Sequence, residues 1–227
     1  MKKATDFTPI CITDFMERTG IDLSAYSWGG AVDFVVSPRD IQRVLELPHM
    51  TTAYRDQLLS SIGLASDQTK KVYGGLEIHQ RFIDPRSLKL GQKFVYRKNY
   101  IAILENFPDI FKGLSMAKGF AQLSAYIIVG SDYEGRKVFA HYLPPIVEQH
   151  GQRLILMDGV HRNYLTRQAG YPLQCILVEG VRVKFPCTPH GWEDVSVAEK
   201  KPTRTEDRYW NLDKELFRDV KYVGIDG

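Results

Sequence analysis

The 227-residue chain has only three cysteines, Cys11, Cys175 and Cys187, widely spaced and with no Cys-x-x-Cys pair. That pattern argues against a disulfide framework or a zinc–cysteine site. Cys175, set in an apolar strand pattern, reads as a buried reduced thiol. No apolar run reaches the roughly 20 residues that a membrane helix needs. Behind the basic start, Met1-Lys2-Lys3-Ala4-Thr5-Asp6, no apolar segment of the secretory kind follows. A cytoplasmic protein without a membrane partner is therefore expected. Strong charge is missing as well: a net charge of +3 neither demands nucleic acid nor excludes it. Internal repeats and low-complexity segments are absent too. What remains is an ordinary globular composition, 44% apolar and 25% charged, long enough to bury a real core.

The first 75 residues read as a helical N-terminal extension. Ser37-Pro38-Arg39-Asp40 has the form of a helix start, with Ser37 as N-cap and Pro38 at the first position. Ile41, Val44, Leu45 and Leu47 would then mark one apolar face before Pro48. Residues 51–72, with Leu58, Leu59, Ile62 and Leu64 among polar neighbours, also read as helix. Gly74-Gly75 makes a seam. A core over 76–187 follows, beginning with a strand over 76–83 and a helical stretch from Tyr100 to Phe107. Residues 125–129 and 138–142 flank a turn rich in glycine and aspartate, which predicts a hairpin. Residues 188–227 read as a polar C-terminal tail, with Asn211 capping a short last helix.

The most informative passage is Asp158-Gly159-Val160-His161-Arg162. It follows the apolar strand Leu154-Ile155-Leu156-Met157 and opens a helix that Gly170 closes; Gln174-Cys175-Ile176-Leu177-Val178 supplies the next strand. A turn at that place aims backbone N–H groups and the positive end of a helix dipole at one spot, which suits a phosphate. Arg162 adds a side chain able to grip phosphate through two parallel bonds.

Leu143-Pro144-Pro145-Ile146-Val147, a short spacer, the apolar strand, the Asp-Gly-x-His-Arg turn and the helix come in an order that resembles the ParB/sulfiredoxin superfamily. There a Pro-Pro-Ile-x-Val strand precedes a Gly-x-x-Arg turn that cradles nucleotide phosphates. The form here looks most like the turn of free-serine kinases and DGQHR-type proteins. The resemblance implies an α+β fold, a small mixed sheet with flanking helices. It also implies binding of ATP, ADP or CTP with Mg²⁺, and phosphoryl transfer to a small hydroxyl-bearing substrate or NTP hydrolysis. Three departures matter. Val160 stands where sulfiredoxins carry their cysteine, Asn163 follows Arg162 where ParB proteins keep an arginine pair, and no clear helix–turn–helix follows residue 187. An alternative from another class stays open: a DNA-associated regulatory protein that uses nucleotide as a switch.

Each site residue has a chemical and a plain reading. Gly159, lacking a Cβ, lets the backbone approach a phosphate, or simply makes a tight turn. Val160 offers its N–H alone. His161 donates to a phosphate or a transferring oxygen, or packs locally. Asp158 is a natural N-cap; beside a polyphosphate it needs Mg²⁺ between them, or a substrate hydroxyl whose proton it accepts. Glu148 is a second candidate base or metal ligand, although a solvated side chain in a turn with Gln149 and His150 explains it more simply.

Overall fold

The computed structural model describes residues 7–102 and 123–226. Its strands begin with β1 (Ile10–Cys11), β2 (Phe34–Val35), β3 (Arg43–Glu46), β4 (Gly63–Leu64) and β5 (Asp67–Lys71). Next come β6 (Ile78–Ile83), β7 (Lys89–Leu90), β8 (Phe94–Tyr96), β9 (Tyr126–Ser131) and β10 (Lys137–Tyr142). The last are β11 (Ile146–His150), β12 (Arg153–Leu156), β13 (Leu173–Val178) and β14 (Ser196–Ala198). The α-helices include α1 (Ile12–Thr19), α2 (Thr52–Ser60) and α3 (Val160–Ala169). The class is mixed α+β, as expected.

The chain divides into two compact units. The first joins the N-terminal segment up to Gly75 with Ala125–Leu143 and the chain from Arg218; the second holds Leu76–Ser124 and Pro144–Phe217. The first stretch of that unit ends at Gly75, but the N-terminal segment is no helical extension. It contributes β1, β2 and β3 to a five-stranded sheet of order β1-β2-β10-β9-β3. The β9–β10 hairpin expected from the sequence is present, pairing Tyr126–Ser131 with Lys137–Tyr142, and it serves the first unit instead of a 76–187 core.

One expected helix is replaced by a strand and a second is cut short. Ser37 does cap, accepting the Arg39 N–H at 3.2 Å, but only a 3₁₀ turn over Pro38–Asp40 follows. The chain then enters β3, whose ladder with β9 outweighs helical periodicity. Gly130 makes that ladder feasible, because a Cβ there would lie 2.2 Å from the Arg43 carbonyl oxygen. In residues 51–72, α2 ends at Ser60 and the β4–β5 hairpin takes the remainder. Residues 97–102 are helical, and the rest of the stretch expected to Phe107 lies outside the described residues.

In the first unit α1 sets Phe15 edge-on to Phe139, ring centroids 5.6 Å apart. Such a pair is worth about 0.5–1.5 kcal/mol beyond its buried area. Beside it His141 is buried. Its Nδ1–H donates to the Gly224 carbonyl at 2.8 Å, so Nε2 is left to accept the Tyr54 hydroxyl at 2.8 Å.

The second unit is built on a sheet of order β6-β13-β11-β12-β7. β11 pairs with β12 antiparallel and with β13 parallel, so the connection through β12 and α3 carries the chain over to the far side of β11. The segment expected to be a polar tail is mostly built into this unit. β14 pairs with β8, Trp192 is buried with its indole N–H on the Pro85 carbonyl, and Tyr209 and Leu212 pack on Ile155, Phe185 and Cys187. Asn211 is not a cap: it takes a positive φ of 49°, and Asp213 caps a 3₁₀ turn over Lys214–Leu216.

Burial lowers the His141 pKa from 6.5 to about 4. The unfolded chain therefore takes up a proton between those values that the folded unit refuses. Stability falls as pH drops from 6.5 toward 4, by up to about 3 kcal/mol. Urea unfolding of the wild type should show this loss over that window, and His141→Gln, which cannot titrate, should flatten it. A wild type of constant stability from pH 6.5 to 4 would contradict the neutral buried imidazole.

Candidate functional site

The site begins where β12 ends. The Met157 and Asp158 N–H groups both turn to the Ile146 carbonyl, at 2.8 and 3.3 Å, which bends the chain out of the sheet. Gly159 completes the bend with φ +90° and ψ 28°. A Cβ at Gly159 would also fall 2.7 Å from the Pro145 Cβ. Glycine is therefore required here for two separate reasons, conformation and close packing on the Pro-Pro-Ile strand.

Gly159 occupies the N-cap of α3 and offers no side chain to the first turn. The leading N–H groups of a helix find no partner within the helix itself. The Gly159 carbonyl is held from below by Asn163, through its backbone N–H at 3.0 Å and its side-chain amide at 3.1 Å. Asn163 is fully buried, which fixes the bend against the helix. At the other end Gly170, φ +74°, closes α3 as expected, its N–H reaching the Arg167 and Thr166 carbonyls.

Asp158 is not the N-cap. It reaches one turn forward, where Arg162 Nη2 donates to its Oδ2 at 3.3 Å, with both side chains less than one-fifth exposed. Val160 turns its side chain into the core with Val147, Leu156, Leu173 and Cys175, leaving only its backbone for chemistry. His161 is committed in part: its Nε2 accepts the Tyr96 N–H at 3.1 Å, and its ring lies 5.8 Å from the Tyr96 ring. An accepting Nε2 puts the neutral ring's hydrogen on Nδ1, so any donation by His161 comes from that nitrogen. Cys175 lies within reach of the Arg162 charge. Burial pushes its thiol up to about 12, against the opposing pull of Arg162. It is an inert buried thiol, as the sequence indicated.

Glu148 stands apart and is not a solvated turn residue. It is completely buried on β11, and His150 Nε2–H donates to its Oε2 at 2.7 Å. The strand runs on through His150, between β12 and β13, which takes Glu148 out of any turn. Register gives its direction. Glu148 pairs with Ile155, which packs on Phe185 and Cys187, whereas Val147 pairs with Leu156 on the face that α3 covers. Strand alternation thus sends Glu148 to the sheet face opposite α3.

The structure therefore brings Asp158, Gly159, Val160, His161 and Arg162 into one turn and leaves Glu148 out. Sequence reasoning missed Pro145 as the surface under Gly159, Asn163 as the anchor of the bend, and the Tyr96 amide as the partner of His161. The i, i+4 spacing of Asp158 and Arg162 was a readable signal for their pairing. Among the described residues, no cluster of three metal-ligating side chains includes Asp158.

No protein-family model matches the chain. No solved structure matches it either. Over 72 residues it is 31% identical to the ATP-dependent dethiobiotin synthetase BioD of Novosphingobium aromaticivorans. That stretch is 30% of this chain and 35% of the relative, so the chain spans about a third of that protein's length.

The two glycines that bracket α3 give a controlled comparison. Gly159→Ala combines left-handed strain with overlap on Pro145 and should cost about 2–4 kcal/mol. At Gly170 an added Cβ meets nothing within 4 Å, so Gly170→Ala should cost only about 1–2 kcal/mol. Equal losses in urea unfolding would show that Pro145 does not constrain the bend.

Proposed function

We propose that the turn from Asp158 to Arg162 receives the phosphates of a nucleotide, and that the chain catalyses phosphoryl transfer or NTP hydrolysis there. The observation that carries this reading is the start of α3: a left-handed glycine at the N-cap, pressed on Pro145, with His161 and Arg162 in the first turn. Phosphate oxygens would take the N–H groups of Val160, His161 and Arg162 and the positive end of the helix. The chain has no Gly-x-x-x-x-Gly-Lys-Ser/Thr run, so a Walker-type loop does not compete for the role. The short likeness to a relative named as ATP-dependent favours a nucleotide over a bare anion. The resemblance of the Pro-Pro-Ile strand and the Asp-Gly-x-His-Arg turn to ParB/sulfiredoxin-like proteins, free-serine kinases above all, points the same way.

The Asp158–Arg162 pair couples binding to chemistry in this scheme. An arriving phosphate competes for the Arg162 guanidinium, and the exchange frees the Asp158 carboxylate to accept a proton from the hydroxyl of a small substrate or from water. His161, held by the Tyr96 amide, keeps its Nδ1–H as a donor toward the transferring group. Mg²⁺ accompanying the nucleotide would neutralise phosphate charge, and Asp158 is the carboxylate of this turn that could hold it, in competition with Arg162. Glu148 has no part, because it faces the other side of the sheet.

Thermal unfolding and calorimetric titration with ATP, ADP and CTP, each with and without Mg²⁺, test the proposal. At least one nucleotide should stabilise the protein. Arg162→Ala should weaken its binding by about 1.5–3 kcal/mol, and Asp158→Asn should retain binding while losing phosphate release. Unchanged melting with all three nucleotides, or unchanged affinity in Arg162→Ala, would overturn the reading.

A further inference from the structure

A second chemically competent group lies at the outer edge of the same sheet and plays no part in the nucleotide scheme. Glu77, immediately before β6, His79 within it and Glu179, immediately after β13, each bring one ligand atom within 4.8 Å of the other two. Backbone pairing imposes this arrangement. β6 and β13 pair antiparallel from Ile78↔Val178 through Ile83↔Leu173, and the Glu179 N–H extends the ladder to the Glu77 carbonyl at 3.0 Å. Glu77 and Glu179 therefore stand directly opposite, and His79 follows two residues on, along the same face. Carboxylates directly opposite across a strand pair repel and destabilise the pairing unless a cation lies between them. The protein cations nearby answer only weakly. Arg81, on the same face, is more than half exposed and reaches Glu179 at 3.8 Å, and His79 Nε2 lies 3.3 Å from Glu77.

We infer that Glu77, His79 and Glu179 form a binding site for a divalent transition cation of the zinc class. The imidazole decides the class. Mg²⁺ and Ca²⁺ prefer all-oxygen shells, whereas one nitrogen with two carboxylate oxygens suits Zn²⁺ and its neighbours. Three protein ligands leave a coordination position for water or another ligand, the arrangement of an open site as distinct from a closed structural one. A bound cation would relieve the Glu77–Glu179 repulsion and clasp the end of β6 to β13. Arg81 is its natural competitor for Glu179.

Isothermal titration of the untagged full-length chain with ZnCl₂, and separately with MgCl₂, tests this. One site should appear, preferring Zn²⁺ over Mg²⁺ by at least a hundredfold. His79→Ala and Glu179→Gln should each weaken zinc binding at least tenfold, and Arg81→Ala should tighten it severalfold. All three side chains are at least partly exposed, so the variants should fold, which far-ultraviolet circular dichroism will verify. No one-site zinc binding, or zinc affinity unchanged in His79→Ala, would overturn the inference. Neither result bears on the nucleotide turn, which is tested through Arg162.

Discussion

The second unit depends on one backbone constraint: a left-handed residue pressed flat on the Pro145 ring at the end of β12. Because Gly159 holds φ +90° with no room for a Cβ, the chain leaves the sheet at one angle, and α3 starts in one place. Asn163 ties the first turn back to the Gly159 carbonyl, and Val160 pins the same turn into the core. Helix position, the direction of its dipole and the set of side chains in its first turn all follow from that bend. A helix start held this firmly is organised before any ligand arrives, so binding spends little entropy on ordering it.

Electrostatics within the turn is arranged around exchange. Arg162 is paired with its own Asp158, and that pair is only partly exposed. At 3.3 Å it is a long, single-point contact, and a doubly charged oxyanion is a stronger partner for a guanidinium than one carboxylate. In the proposed scheme the internal pair keeps Arg162 oriented in the resting protein and gives way to phosphate. The carboxylate that the exchange releases stands at the same place. His161 works within a narrower range, because its Nε2 already serves the Tyr96 amide.

The sequence made the local parts of this structure legible and left the distant ones obscure. The β9–β10 hairpin, β6, the β11–β12 pair, α3 with its Gly170 stop and the Asp158–Arg162 turn all follow from short-range pattern, turn chemistry and periodicity. Residues 41–47 failed because Ile41, Val44, Leu45 and Leu47 fit a helical face well. Whether they pair with β9 depends on Gly130, more than eighty positions along the chain. The tail failed for a similar reason. Its apolar residues, Trp192, Tyr209 and Leu212, are too sparse to show a period, yet each finds a cavity built by distant strands. Glu148 was misplaced because a carboxylate next to Gln149 and His150 looks like a turn. Only the sheet order shows that β11 runs between two neighbours and buries it. The Pro145 contact, which explains why position 159 is glycine, joins residues fourteen apart and left no local signature.

The central claim is that the first turn of α3 receives phosphate oxygens. Its most direct test is a titration followed by ¹⁵N-resolved NMR, with ATP added to the labelled full-length chain. The account predicts saturable shifts concentrated at the amides of Gly159, Val160, His161 and Arg162, with the Arg162 side-chain resonance moving as it leaves Asp158. Saturable shifts confined to other parts of the chain, with these amides unmoved, would contradict it.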